Sequence, residues 1–228
     1  MEAVLIYHPE IGYILYDTGN DPQWALSYTE SIREIYPVTR TVSIEDALQK
    51  ENLTVEDIDV LILSHLHFDH AGGLKFFSNT KAGRQVIVSE DEYKDAIKEI
   101  EKSPERNKGA YIGKLFYQLP GIEFKTISGQ AELAEGITLF VQKCHTAGVV
   151  GMIVELRDKT VLFTGDTVYL KETYEKELPP GGGINKTQKE FFDNLKVLKK
   201  MQKEQKAEMF FGHDYEQAKK WQAFGWVE

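Results

Sequence analysis

Short apolar runs with turn residues at their ends punctuate the chain: Tyr13–Tyr16, Val60–Leu63, Val86–Val88, Ile137–Gln142, Gly151–Leu156, Val161–Thr164 and Ala207–Phe211. Their brevity and β-branched content predict strands. Three helical patterns lie between them. Ser43 with Asp46 caps a helix through Gln49, and Ser89 with Glu92 has the spacing of a capping box for a helix reaching Lys102. Thr187 with Glu190 has the same spacing. It opens a helix to Gln205, with Phe191, Leu195, Leu198 and Gln202 on one side and mostly Lys and Glu opposite. Strands and helices mix without strict alternation. That favours an α+β sandwich of mixed sheets flanked by helices over a doubly wound sheet.

No repeat or long linker interrupts residues 1–228, so the whole chain reads as one domain with loop insertions. Two loops are expected to be mobile: Ser103–Gly113, and the stretch around Pro179 and Gly183. The 228 residues are enough for a sizeable core. Lys and Arg number 27 against 36 Asp and Glu, a net charge of −9. That balance disfavours nucleic acid and anionic membrane, which are bound chiefly through cationic side chains. Cys144 is the single cysteine, which excludes an intrachain disulfide and a cysteine-rich zinc module. It reads as a small buried packing residue. No apolar run is long enough to span a membrane and no signal-peptide pattern opens the chain, so cytoplasm is the expected location.

Candidate chemistry concentrates where strands end. His65, His67, Asp69 and His70 follow the run ending at Leu63; His145 follows Gln142; Asp166 follows Thr164; His213 follows Phe211. Polar loops at strand ends explain one or two such residues, but not five of six histidines. His8, beside Pro9, stands apart as a surface histidine. Residues two apart in an extended segment point the same way, so His65 and His67 can share a metal. Asp69 and His70 come a turn later, where the chain is expected to swing into a helix. Gly72 and Gly73 then allow close backbone approach. Seven imidazole and carboxylate ligands exceed one tetrahedral site and suit two metals sharing a carboxylate. The donor set fits zinc and also admits manganese, iron or cobalt.

This His-x-His-x-Asp-His cluster, followed by a lone His, a lone Asp and a final His, resembles the metallo-β-lactamase superfamily, most closely its N-acyl-homoserine lactonase branch. The nearer resemblance rests on Asp17-Thr18-Gly19, on Ser64 through Gly73, on Asp166 with Tyr169, and on Phe210-Phe211-Gly212-His213-Asp214-Tyr215-Glu216-Gln217. It implies a four-layer αββα sandwich with its metal site at the strand ends. It assigns metal one to His65, His67 and His145, metal two to Asp69, His70 and His213, and the bridge to Asp166. A metal-bridging hydroxide would then open a lactone ring, with N-acyl-homoserine lactone as the expected substrate. Asp69 would also carry a proton to the leaving alkoxide, and Tyr169 would donate to a substrate oxygen; half-buried packing is the alternative for Tyr169. Asp17 either fixes the tautomer of a ligand histidine or serves as a turn residue.

Two departures from the family stand out. His145-Thr146-Ala147-Gly148-Val149 lacks the usual proline and second histidine, which is not a metal ligand. The chain also opens at what resembles the family's second strand, with the preceding strand and loop reduced or absent. Alternative activities are hydrolysis of another ester, a thioester, a β-lactam or a phosphodiester, or a non-hydrolytic metal-binding or diiron redox role. Histidine at position 67, where flavo-diiron enzymes carry glutamate, argues for hydrolysis.

Overall fold

The computed structural model describes residues 3–39, 41–179 and 190–227. The chain forms two compact units, Met1–Val88 with Glu92–Thr126, and Ser89–Asp91 with Ile127–Glu228.

The first unit is built on a mixed five-stranded sheet in the order β1-β2-β3-β4-β7. Its strands are β1 (Val4–His8), β2 (Gly12–Tyr16), β3 (Ile58–Ile62), β4 (Val86–Ser89) and β7 (Phe124–Ile127). β1 pairs antiparallel with β2, whereas β2–β3 and β3–β4 are parallel. Short helices α1 (Trp24–Ser27) and α2 (Glu30–Ile35) precede α3 (Ile44–Lys50), and α4 (Glu90–Glu101) follows β4. Ser43 caps α3 by accepting from Asp46 N, as the sequence predicts. Ile44 and Leu48 of α3 and Ala96 and Ile100 of α4 bury into one core with Leu15, Leu61, Leu63 and Phe77. Each buried Leu, Ile or Phe among them contributes about 1.5–3 kcal/mol by leaving water.

Two sequence expectations need revision here. Tyr13–Tyr16 is not the opening strand, because Val4–His8 precedes it as an antiparallel partner. Ser103–Gly113, expected as a loop, contains a hairpin of β5 (Asn107–Lys108) and β6 (Tyr111–Ile112), with Tyr111 and Ile112 buried.

The second unit carries a mixed sheet in the order β12-β11-β10-β9-β8. The strands are β8 (Gln130–Ala134), β9 (Ile137–Gln142), β10 (Val149–Glu155), β11 (Thr160–Phe163) and β12 (Glu208–Phe210). Only β12 pairs parallel with its neighbour. Its helices are α5 (Lys171–Glu175), α6 (Phe191–Gln205) and α7 (Tyr215–Phe224). The predicted stripe of α6 is real: Phe191, Leu195 and Leu198 pack with Phe140, Ile153, Leu162 and Met209, and Gln202 accepts from the Tyr174 hydroxyl. Thr187, its predicted cap, and the Pro180–Gly183 stretch lie outside the described residues. Val149, where the family has its second histidine, is fully buried as the first residue of β10. Among the described residues, no helix is long and apolar enough to cross a membrane.

Candidate metal centre

In the first unit the parallel pair β2–β3 delivers its residues to one end of the sheet. Asp17 follows β2 with its backbone in the left-handed region (φ 64°) and its side chain fully buried. Such a conformation costs a non-glycine residue about 1–2 kcal/mol, and here the carboxylate returns three contacts. It accepts from Ser64 N (2.7 Å) and the Ser64 hydroxyl (2.8 Å), and lies 2.9 Å from His70 Nδ1. The Asp17 amide donates to Ile62 O (2.8 Å). Turn residue and tautomer-fixing acceptor are therefore the same residue.

Residues 64–68 follow β3 outside any strand, with bends at Ser64 and His67. Alternate amides find separate acceptors: Ser64 N on Asp17, Leu66 N on Glu92 Oε1 (3.0 Å), and Phe68 N on Ala110 O (3.0 Å). The intervening residues are His65 and His67, whose rings share a side with centroids 4.5 Å apart. Ser64 Oγ lies 3.0 Å from Nδ1 of both His65 and His70. In an imidazole the two nitrogens point apart, so fixing Nδ1 against Ser64 and Asp17 leaves Nε2 as the end that could hold a metal. Asp69 Oδ2 is 3.8 Å from His70 Nε2. The segment does not swing into an α-helix. His67 O accepts from His70 N and Ala71 N in a single turn, and a short 3₁₀ helix follows at Leu74–Phe77. Gly72 and Gly73 press this turn on the backbone of Thr18–Asp21. A Cβ on Gly72 would fall 2.2 Å from Asp21 N, and one on Gly73 2.8 Å from Thr18 O.

In the second unit three strand ends converge. His145 follows β9; its loop is tied to α6 by Asn194 Nδ2 donating to Lys143 O (2.8 Å). Asp166 sits in a 3₁₀ turn, Gly165–Thr167, after β11, braced by the buried Thr164 hydroxyl on Val168 O (3.1 Å). His213 follows β12, and Gln217 clamps that approach, accepting from Phe211 N (2.8 Å) and donating to Met209 O (2.7 Å). Asp214 caps α7 through Gln217 N and accepts from Lys171 N. The result places one carboxylate oxygen, Asp166 Oδ2, 3.4 Å from His145 Nε2 and 3.2 Å from His213 Nε2. Two ligands about 2.0–2.1 Å from a tetrahedral zinc stand ~3.3 Å apart, so both spacings fit shared coordination. Tyr169 OH lies 3.0 Å from His145 Nδ1, and its ring is 4.9 Å from that of His213.

The predicted residues form two clusters, one in each unit: Asp17, His65, His67, Asp69 and His70 in the first, His145, Asp166, Tyr169 and His213 in the second. His8 belongs to neither. It ends β1, half-buried, and its Nδ1 accepts from Glu10 N. Cys144 is fully buried with its thiol pushed up to about 11, chiefly by burial, as suits a packing residue. Sequence reasoning missed Ser64 as the shared contact of two histidines, Glu92 as an anchor of the first motif, and Gln217 as the clamp under His213. Ser64 and Gln217 lie inside the motifs that carry the family resemblance, and Glu92 reads from the sequence as a helix cap.

The metallo-beta-lactamase superfamily profile matches residues 3–213, spanning both units. The chain is 32% identical over 224 residues to an N-acyl homoserine lactonase of Bacillus thuringiensis, covering 94% of this chain and 82% of the relative. It is 25% identical over 222 residues to the N-acyl homoserine lactonase AiiB of Rhizobium rhizogenes, covering 90% and 76%. Among solved structures, an AiiA variant of B. thuringiensis with N-decanoyl-L-homoserine bound at its active site matches with a TM-score of 0.77 and 29% identity, over 96% of this chain and 82% of that one. The chain therefore has the metallo-beta-lactamase fold and belongs to the metallo-beta-lactamase superfamily, among relatives that are N-acyl homoserine lactonases.

Proposed function

We propose that this protein is a cytoplasmic dinuclear metallohydrolase that opens a lactone ring, with N-acyl-homoserine lactone as substrate. His65, His67 and His145 would hold one ion, Asp69, His70 and His213 the other, and Asp166 would serve both, with the whole chain acting as one hydrolase. Zinc suits the imidazole and carboxylate donors. When bound, the two ions supply Lewis-acid polarisation of the carbonyl and activation of water near neutral pH.

The protein's own residues divide the remaining work. Asp17 and Ser64 hold His70 and His65 by their Nδ1 edges, so that ligand geometry is set before a metal arrives. Asp69 would carry a proton to the leaving alkoxide. If His145 donates its Nδ1 proton to the Tyr169 oxygen, the phenolic O–H is left to donate to the substrate oxygen, where charge grows in the transition state.

The similarity to lactonases supplies the substrate class. The observation that carries the chemistry is the Asp166 oxygen set between the Nε2 atoms of His145 and His213, the disposition of a bridging carboxylate. The test is a panel assayed on metal-loaded protein: homoserine lactones, thioesters, nitrocefin and bis(p-nitrophenyl) phosphate. The reading expects lactone opening to lead by orders of magnitude. Preference for any other member of the panel would overturn the substrate assignment.

A further inference from the structure

Glu92 is a fully buried carboxylate that the chemistry above does not use. It lies on the face of α4 that also buries Ala96 and Ile100, at positions i, i+4 and i+8 of an otherwise apolar stripe. A charge is expensive there unless hydrogen-bonded, and both oxygens are engaged. Oε1 accepts from Leu66 N (3.0 Å), the amide between the two ligand histidines. Oε2 accepts from the Tyr111 hydroxyl (3.2 Å). The Tyr111 ring in turn packs edge-on against His67, with centroids 4.7 Å apart and planes at 61°. Burial first, then the charge of Glu92, push the Tyr111 phenol upward, which keeps it a donor. The same hairpin supplies Ala110 O to Phe68 N.

We infer that Glu92 is a positioning residue for the metal motif. It sets the rotation of the His65–Leu66–His67 segment through one backbone amide, and holds the His67 ring through Tyr111. The physical basis is that residues 64–68 lie outside any strand. The rotation of Leu66, which sets how its neighbours His65 and His67 project, is fixed by a side chain where a sheet would use a backbone carbonyl. This inference rests on the metallohydrolase reading and extends it to a residue outside the ligand set.

The test compares Glu92→Leu, Glu92→Gln and Tyr111→Phe with wild type in three measurements: zinc affinity by chelator competition, the visible spectrum of the cobalt-substituted protein, and the melting temperature without metal. Glutamine can accept from Leu66 N and donate to the Tyr111 oxygen, so Glu92→Gln should keep zinc affinity within about threefold and leave the cobalt spectrum unchanged. Leucine fills similar space with no acceptor, so Glu92→Leu should weaken zinc about 10- to 100-fold, the range for partners behind a ligand, and shift the cobalt bands. Tyr111→Phe keeps the ring and should cost less than about fivefold. Wild-type affinity and spectrum in Glu92→Leu, or a Glu92→Gln as impaired as Glu92→Leu, would overturn the inference. If Glu92→Leu does not fold, Tyr111→Leu decides. It removes the ring from His67 and should weaken zinc about tenfold, and an unchanged affinity would refute the role. A wild-type protein that binds no metal refutes the metallohydrolase reading itself, a result distinct from any pattern among the variants.

Discussion

The two clusters of candidate ligands are built by different routes. In the first unit four candidate ligands lie within six consecutive residues, and buried carboxylates anchor the backbone, Asp17 just before the first of them and Glu92 between the first two. In the second unit three ligands come from three strand ends, and neutral groups brace them: the hydroxyls of Thr164 and Tyr169 and the amide of Gln217. A contiguous motif has its spacing from the covalent chain and needs only its rotation fixed. A dispersed set depends on strand register for its spacing, so each strand end needs its own tie. Damage should therefore act locally on metal geometry in the first unit, and through loop placement in the second.

The largest effect is expected at the carboxylate shared by the dispersed set. Asp166→Asn should keep the fold but lose the second metal and most activity, more than about hundredfold and beyond the range of partners behind ligands. Elemental analysis and turnover check it; unchanged turnover would show that the bridge is elsewhere. Next comes Asp17, where chemistry and backbone can be separated. Both Asp17→Gly and Asp17→Ala delete the acceptor of Ser64 and His70, and should weaken zinc by about 10- to 100-fold. Only alanine adds the left-handed penalty, so Asp17→Gly should be more stable than Asp17→Ala by about 1 kcal/mol. Equal stabilities in denaturant titrations would contradict the strain argument.

Tyr169→Phe should lower kcat together with kcat/KM about 5- to 30-fold on a homoserine lactone, or roughly 1–2 kcal/mol, below the full value of an oxyanion donor because metal would share the task. The loss should be smaller on a p-nitrophenyl ester, whose leaving group needs little help. Equal rates on the lactone would confine Tyr169 to holding His145. Gln217→Leu removes two backbone partners and should cost about 1–3 kcal/mol of stability. It should lower retention of the metal held by His213 more than that of the other ion, which separates a loop tie from general destabilisation. The smallest effect concerns Cys144. A thiol raised to about 11 by burial is almost entirely protonated at pH 8, so alkylation of the folded protein should be slow and should accelerate on unfolding.

This contrast also explains what could be read from the chain. The His65–His70 cluster was legible because its ligands are neighbours and their period is that of an extended segment. His145, Asp166 and His213 were legible only as residues at strand ends, since their convergence depends on β10 and β11 pairing in register. Glu92 was misread for a physical reason: a glutamate three residues after a serine at a helix start normally faces water as a cap, and nothing local reveals that this face is buried. Val4–His8 escaped notice because the stretch is half-exposed and ends at Pro9. Gln130–Ala134 escaped because Ala and Glu are poor strand formers, and its pairing with β9 decides the conformation.

The central claim is that two ions per chain act together in opening a lactone. The direct measurement is a titration of metal-free protein with zinc, following both bound metal and the rate of N-hexanoyl-homoserine lactone opening. The account predicts activity that rises to a plateau at two equivalents per chain. A plateau at one equivalent, or no lactone opening at two, would contradict it.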